Sequence, residues 1–192
     1  MVSIEEVDQA QRAWGDGIVK IAKAHRNGED YTGLAENHIR TLYAYDQGMV
    51  LFKPTLASVE QFRSTPQSAL SYFVASNGAC PEDKGFAIKG WTKVRFENVD
   101  IIIDGGMAMA MGNYFFTDPQ GDLVKVEYSF GYVLNDKGEV RIVLHHSSVI
   151  EFDKSPTVGK NSLHHRKHQK DLRNGTQIGY LILFTPADPP HA

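Results

Sequence analysis

The sequence predicts an α+β fold with N-terminal helices packed on one face of a curved antiparallel sheet. Two observations carry this. Apolar residues recur at three- and four-residue spacing up to about Gly78, and from Gly85 onward the period changes to two. The alternating part then divides into four long segments joined by short turns, the pattern of an antiparallel meander backed by helices. A curved sheet closed by helices leaves a conical pocket suited to a small molecule.

The first helix is set by Val7, Ala10, Trp14, Ile18 and Ile21. Ser3 and Glu6 form a capping box, and "HRNG" ends it at Gly28. Gly15 and Gly17 weaken its middle, each costing about 1 kcal/mol against alanine. A second helix is expected over residues 31–45. "GMVLFKP" is a short strand stopped by Pro54. "RSTPQSALSYFVASNG" is a third helix, with Thr65 as N-cap, Pro66 in the first turn and Gly78 closing it. The sheet begins at "WTKVRFENVDIIID", where Val94 and Phe96 alternate with Lys93, Arg95 and Glu97. It turns at Gly105-Gly106 and returns through "MAMAMGNYFFTD". It then turns at "PQGD" and continues as "LVKVEYSFGYVL", with Val126, Tyr128, Phe130 and Tyr132 on one face. After "NDKGE" it ends with "VRIVLHHSSVIEF". Residues 1–154 make one cone domain. Residues 155–192 are basic, lack apolar periodicity and read as a partly disordered C-terminal extension, although "IGYLILF" could add an edge strand.

The chain has 192 residues and 42% apolar residues, enough for one well-filled core. A net charge of −3 gives no electrostatic footprint for nucleic acid or an anionic membrane. No run approaches the length of a membrane span, and no basic region followed by an apolar core opens the chain. With the single cysteine Cys80 excluding an intrachain disulfide, a cytoplasmic location is expected.

The chemistry concentrates in "VLHHSSVIEF", residues 143–152. His145 and His146 are neighbours on a strand and point to opposite faces, so they do not readily share a metal. "HHRKH" at 164–168 is a weak metal candidate and reads better as a solvated charged run. No GxSxG elbow accompanies Ser147 or Ser148, and the acids flanking Cys80 disfavour a thiolate. What remains is a pocket of hydroxyls: Thr55 after Pro54, Tyr72 on the third helix and Ser147 on the last strand. Each has a structural alternative as a turn threonine, a core tyrosine or an outward serine. Strand alternation groups His145 with Ser147 and His146 with Ser148. Ile142, Leu144 and Ile150 share the His146 parity, so the apolar pattern leaves either face open to the cone.

Several stretches, in order, carry a resemblance: "VLFKPTLASVEQFRSTPQSALSYF", "PEDKGFAIKGWTKVRFENV", "AMAMGNYFFTD", "VKVEYSFGYV" and "LHHSS". Over about Val7 to Phe152 the chain resembles the iota-class carbonic anhydrases. That family is related to the association domain of calcium/calmodulin-dependent kinases and to the nuclear-transport-factor-like cone. The resemblance implies reversible hydration of carbon dioxide to bicarbonate, with both species as ligands, in a homodimer. It implies catalysis with no metal cofactor, although some members have been described as metal-dependent, with zinc or manganese the alternatives. Carried over, the catalytic and substrate-binding hydroxyls fall on Thr55, Tyr72 and Ser147, Ser147 being favoured over Ser148, with His145 beside them. On this reading Thr55 and Tyr72 hold the substrate oxygens, Ser147 orients the water, and His145 buffers the released proton, since free imidazole titrates near pH 6.5. Phe73, Tyr128 and Phe130 would wall off bulk water. A non-catalytic association module of the same cone is the alternative.

Overall fold

The structure, a computed structural model, describes residues 1–149. Helix α1 spans Ile4–Asn27, α2 Tyr31–Leu42 and α3 Pro66–Val74. The strands are β1 Leu51–Lys53, β2 Lys93–Asp104, β3 Met107–Thr117, β4 Leu123–Leu134 and β5 Val140–Ser148. The expected extension and its histidine cluster at 164–168 lie outside the described residues.

Local chemistry accounts for the helix ends. Ser3 accepts from the Glu6 amide at 3.2 Å while the Glu6 carboxylate accepts from the Ser3 amide at 2.8 Å, the reciprocal box expected at this spacing. Thr65 and Ser68 cap α3 in the same way. Two boundaries differ from expectation. Helix α2 stops at Leu42, because Tyr43 takes extended backbone and bridges in parallel to Ile142. Helix α3 stops at Ala75 in the left-handed region, three residues before Gly78.

The sheet has five strands in the order β1-β5-β4-β3-β2. The meander β2 to β5 is antiparallel as expected, but β1 joins its edge in parallel with β5, pairing Phe52 with His145. The expected all-antiparallel sheet is therefore mixed. The short "LFK" run did not disclose its partner, because parallel pairing is made by tertiary closure through the intervening helices and strands.

Two irregularities aim side chains. In β2 the register shifts between Asn98 and Asp100, opposite Gly112. A Cβ at Gly112 would sit 2.1 Å from the Glu97 carbonyl oxygen, so the two backbones meet there only because no side chain intervenes. Asn98 turns inward at this bulge. It exchanges hydrogen bonds with Gln11 of α1 at 2.8 and 2.9 Å and accepts from the Tyr128 hydroxyl at 2.5 Å. In β5 the register shifts between the partners of Gly131 and Tyr132, leaving Val143 as an extra residue between Ile142 and Leu144.

Gly112→Ala is expected to destabilise the fold by about 1–3 kcal/mol through backbone crowding. Thermal unfolding should show it as a Tm lowered by roughly 2–12 °C. An unchanged Tm would mean that the β2–β3 contact relaxes freely.

Candidate active site

The Val143 bulge decides which face of "LHHSS" enters the cone. Upstream of it Ile142 points inward; downstream the inward residues are His145 and Ser147, each 2% exposed. Simple alternation placed Ile142 with His146, and the extra residue breaks that parity. His146 is exposed, and Ser148 turns to the other face, where it donates to the Glu127 carboxylate at 2.9 Å.

His145 sits between two cross-strand partners, Phe52 of β1 and Phe130 of β4. Their rings lie 4.5 and 4.2 Å from the imidazole centroid. Burial among these rings lowers the His145 pKa well below its ordinary value, and His146 and His38 add to the shift. The imidazole is therefore neutral at physiological pH and cannot serve as the proton buffer expected of it. It is instead a hydrogen-bonding group. Nδ1 lies 2.8 Å from the Tyr43 hydroxyl, and Nε2 lies 3.0 Å from Ser147 Oγ.

Ser147 also accepts from the Tyr114 hydroxyl at 2.5 Å. Tyr114 was missed by the sequence reading. Its signal was present: on β3 it continues the inward series Ala108, Ala110, Gly112, Tyr114, Phe116, in which every member is buried. Burial raises the Tyr114 pKa, and contacts with Ser147 and Thr55 work against that rise. Burial likewise raises Tyr72. There the Leu56 backbone amide and the Thr55 hydroxyl oppose the shift, and Arg63 and Asp83 act in opposite senses. Both phenols stay protonated across the physiological range and are available as donors. Thr55 thus stands against both tyrosines, and Thr55, Tyr72, Tyr114 and Ser147 meet in the cone interior. Thr55 alone of the four is half-buried; the others are buried.

Thr55 is held by a pinned loop. The Glu82 carboxylate accepts from the backbone amides of Ser58, Val59 and Glu60 at 2.8–2.9 Å and from the Ser58 hydroxyl at 2.8 Å. Those donors hold the Glu82 pKa down to about 2, so the pin stays ionised at any pH the protein meets. Beneath it Arg63 is fully buried. It donates to Asp83 at 2.7 Å and to the Glu60 carbonyl, and its own carbonyl accepts from Tyr45 at 2.6 Å.

Among the described residues no group of three or more histidine, cysteine, aspartate or glutamate side chains is placed to hold a metal ion. Nor is any helix among them long and apolar enough to cross a membrane.

The fold defines the class first. The putative calcium/calmodulin-dependent kinase II association domain from Xanthomonas campestris superposes with a TM-score of 0.53 at 22% identity, over 82% of this chain and 91% of that one. This places the chain among the cone-shaped α+β domains. The family follows from closer matches. The model of the metal-independent carbonic anhydrases matches residues 5–149. A metal-independent carbonic anhydrase from Nostoc sp. is 43% identical over 151 residues, covering 77% of this chain and 74% of that protein. A cyanobacterial iota-carbonic anhydrase, crystallised with bicarbonate, superposes with a TM-score of 0.76 at 41% identity, over 79% of this chain and 94% of that one. The chain belongs to the metal-independent carbonic anhydrase family, and is an enzyme of carbon dioxide hydration.

The buried imidazoles set the acid stability. His38 is lowered to about 3 by burial, and His145 is also strongly lowered. Between those values and about pH 6.5 the unfolded chain binds protons that the folded chain does not, so stability rises with pH in this window. Chemical denaturation from pH 7.5 to 5 should show a loss approaching about 1.4 kcal/mol per pH unit for each histidine once well below pH 6.5. The same curve should be flat from pH 7 to 8. A protein equally stable at pH 5 and 7.5 would contradict neutral burial of both rings.

Proposed function

We propose that Thr55, Tyr72 and Ser147 hold carbon dioxide and bicarbonate in the cone, and that hydration proceeds there by positioning and hydrogen bonding. The carrying observation is the convergence of hydroxyls: Tyr114 on Ser147 at 2.5 Å, with Thr55 against both Tyr72 and Tyr114.

Water ionises with a pKa of about 15.7, so hydroxide is scarce at neutral pH and a metal-free site must work on water itself. Confining water against carbon dioxide removes much of the entropic barrier; such positioning contributes about 7–11 kcal/mol in favourable cases. As the water oxygen bonds to carbon, one carbonyl π pair moves onto its oxygen and the water loses a proton. Tyr72, kept protonated by burial, donates to the oxygen that gains charge, an interaction strengthened in a dry pocket. The proton passes through a hydroxyl, which both donates and accepts. Half-buried Thr55 is the member of the set through which it reaches solvent. Phe52, Phe73 and Phe130, each at most 1% exposed, make the surrounding wall apolar, as carbon dioxide requires. His145 belongs to the site as the group that orients Ser147.

Carbon dioxide hydration measured by stopped flow on chelator-treated protein tests this reading. The treated wild type should keep its rate, and Tyr72→Phe should lose about 100-fold or more, as removal of a single oriented donor does. Recovery of a chelated, inactive protein by stoichiometric zinc or manganese would overturn the metal-free reading. A Tyr72→Phe variant at full rate would remove Tyr72 from the chemistry.

We also propose that the protein is a homodimer and that it is cytoplasmic. The outward face of the sheet supports the dimer: Ile102, Met107, Met109 and Met111 lie there 49–61% exposed, an apolar cluster bordered by Asp100 and Asp104 that a second copy would cover. Cys80, buried as a free thiol, fits a reducing compartment. Light scattering should give twice the 21.4 kDa chain mass, and Met109→Lys should shift the population toward monomer. A wild-type monomer at assay concentration would refute the dimer. We further propose that residues 1–154 are the catalytic domain and 155–192 an appended extension.

A further inference from the structure

We infer that Tyr43 fixes the proton of His145 on Nε2 and thereby makes Ser147 a donor to the substrate oxygen rather than a base toward water. The juxtaposition is a directed chain of four side chains, from Trp14 through Tyr43 and His145 to Ser147, inside a core that excludes solvent.

The direction follows from counting hydrogens. The indole of Trp14 can only donate, and its Nε1–H donates to the Tyr43 oxygen at 2.9 Å. Tyr43 is 1% exposed, so its own hydroxyl hydrogen needs an acceptor within the protein. Among the described residues, the remaining hydrogen-bond partner of that hydroxyl is His145 Nδ1, at 2.8 Å. Nδ1 is therefore the acceptor. A neutral imidazole carries one proton, which then sits on Nε2. Nε2–H donates in turn to Ser147 Oγ at 3.0 Å. Ser147 Oγ also receives the Tyr114 hydroxyl at 2.5 Å, so both of its lone pairs are occupied. Its own hydrogen has neither neighbour as acceptor and is free for a substrate oxygen.

The opposite tautomer would present Nε2 as an acceptor, draw the serine hydrogen away and leave Ser147 offering lone pairs. That site would activate water. The arrangement fixed by Tyr43 instead stabilises negative charge on an oxygen of nascent bicarbonate. Among the described residues no hydrogen bond joins Tyr43 to Thr55, Tyr72, Tyr114 or Ser147, so it acts as a positioning residue through His145. Trp14 and the rings around it explain why the chain does not reverse. Phe52 stacks on the imidazole and Phe130 packs against it at a tilt of 41°, and Tyr43 itself packs on Phe52 and Phe73 at 5.6 and 6.2 Å.

The inference rests on Ser147 being a substrate-binding hydroxyl, and the test separates the two. Nitrogen-15 NMR of full-length protein labelled at histidine reads the tautomer of His145 directly. The wild type should show a protonated Nε2 and a hydrogen-bonded, unprotonated Nδ1 at every pH from 6 to 8. A wild-type spectrum with the proton on Nδ1 overturns the inference whatever the variants do. Tyr43→Phe should lose the Nδ1 hydrogen-bond signature and lower kcat at least about tenfold, with KM within about twofold. In a Ser147→Ala background the same substitution should add no further loss, because the tautomer then has no serine to orient. Tyr43→Phe with an altered Nδ1 signal and full kcat overturns the functional half of the inference. Ser147→Ala at full activity would refute the substrate-binding reading, with the tautomer assignment read independently from the wild-type spectrum.

Discussion

The indole of Trp14 is the contact on which the rest of the molecule depends. It is 1% exposed on α1 and lies 5.6–6.4 Å from seven other rings, drawn from α2, α3 and strands β2 to β5. Burial of an aromatic surface of this size is among the largest single stabilising contributions available to a domain. The same indole spends its only hydrogen on Tyr43 and so begins the chain that ends at Ser147. Helix docking and site orientation are one interaction seen from two sides.

That docking explains the glycines flanking Trp14. In an isolated helix Gly15 and Gly17 are liabilities. In the folded chain a Cβ at Gly17 would meet His38 Nδ1 at 2.1 Å, and one at Gly15 would press on the Val94 side chain at 3.1 Å. The helix surrenders propensity so that α2 and the sheet can approach. The proximity also buries His38 beside Trp14, with an unpartnered Nε2 among the described residues. A buried, uncharged imidazole is tolerated there because its pKa falls far enough to keep it neutral.

The site draws on segments that are distant in sequence, and four devices help to fix it. A bulge at Val143 turns His145 and Ser147 inward, parallel pairing brings Phe52 onto His145, and inward alternation on β3 supplies Tyr114. The fourth device is the loop after β1, pinned by one ionised carboxylate, Glu82, over a buried arginine. The pin uses charge where the cone uses none. Its carboxylate faces partial solvent and satisfies three amides, so it avoids the cost of a buried unpaired charge.

Much of this was legible in the sequence. Period and capping residues determined three helices, four meander strands and their turns, because those signals are local. The ordered motifs, from "KPT" to "LHHSS", determined the family and pointed to Thr55, Tyr72 and Ser147. The tertiary structure decided what depends on contacts between distant segments. Periodicity assumes one residue per step, so the extra Val143 could not be read from it, and the face of "HHSS" stayed open until β5 met β4. The parallel edge strand, the neutrality of His145 and the place of Tyr43 in its hydrogen-bond chain are likewise products of closure. An imidazole is a buffer in water and a fixed dipole between two phenylalanines, and only the packed cone puts it there.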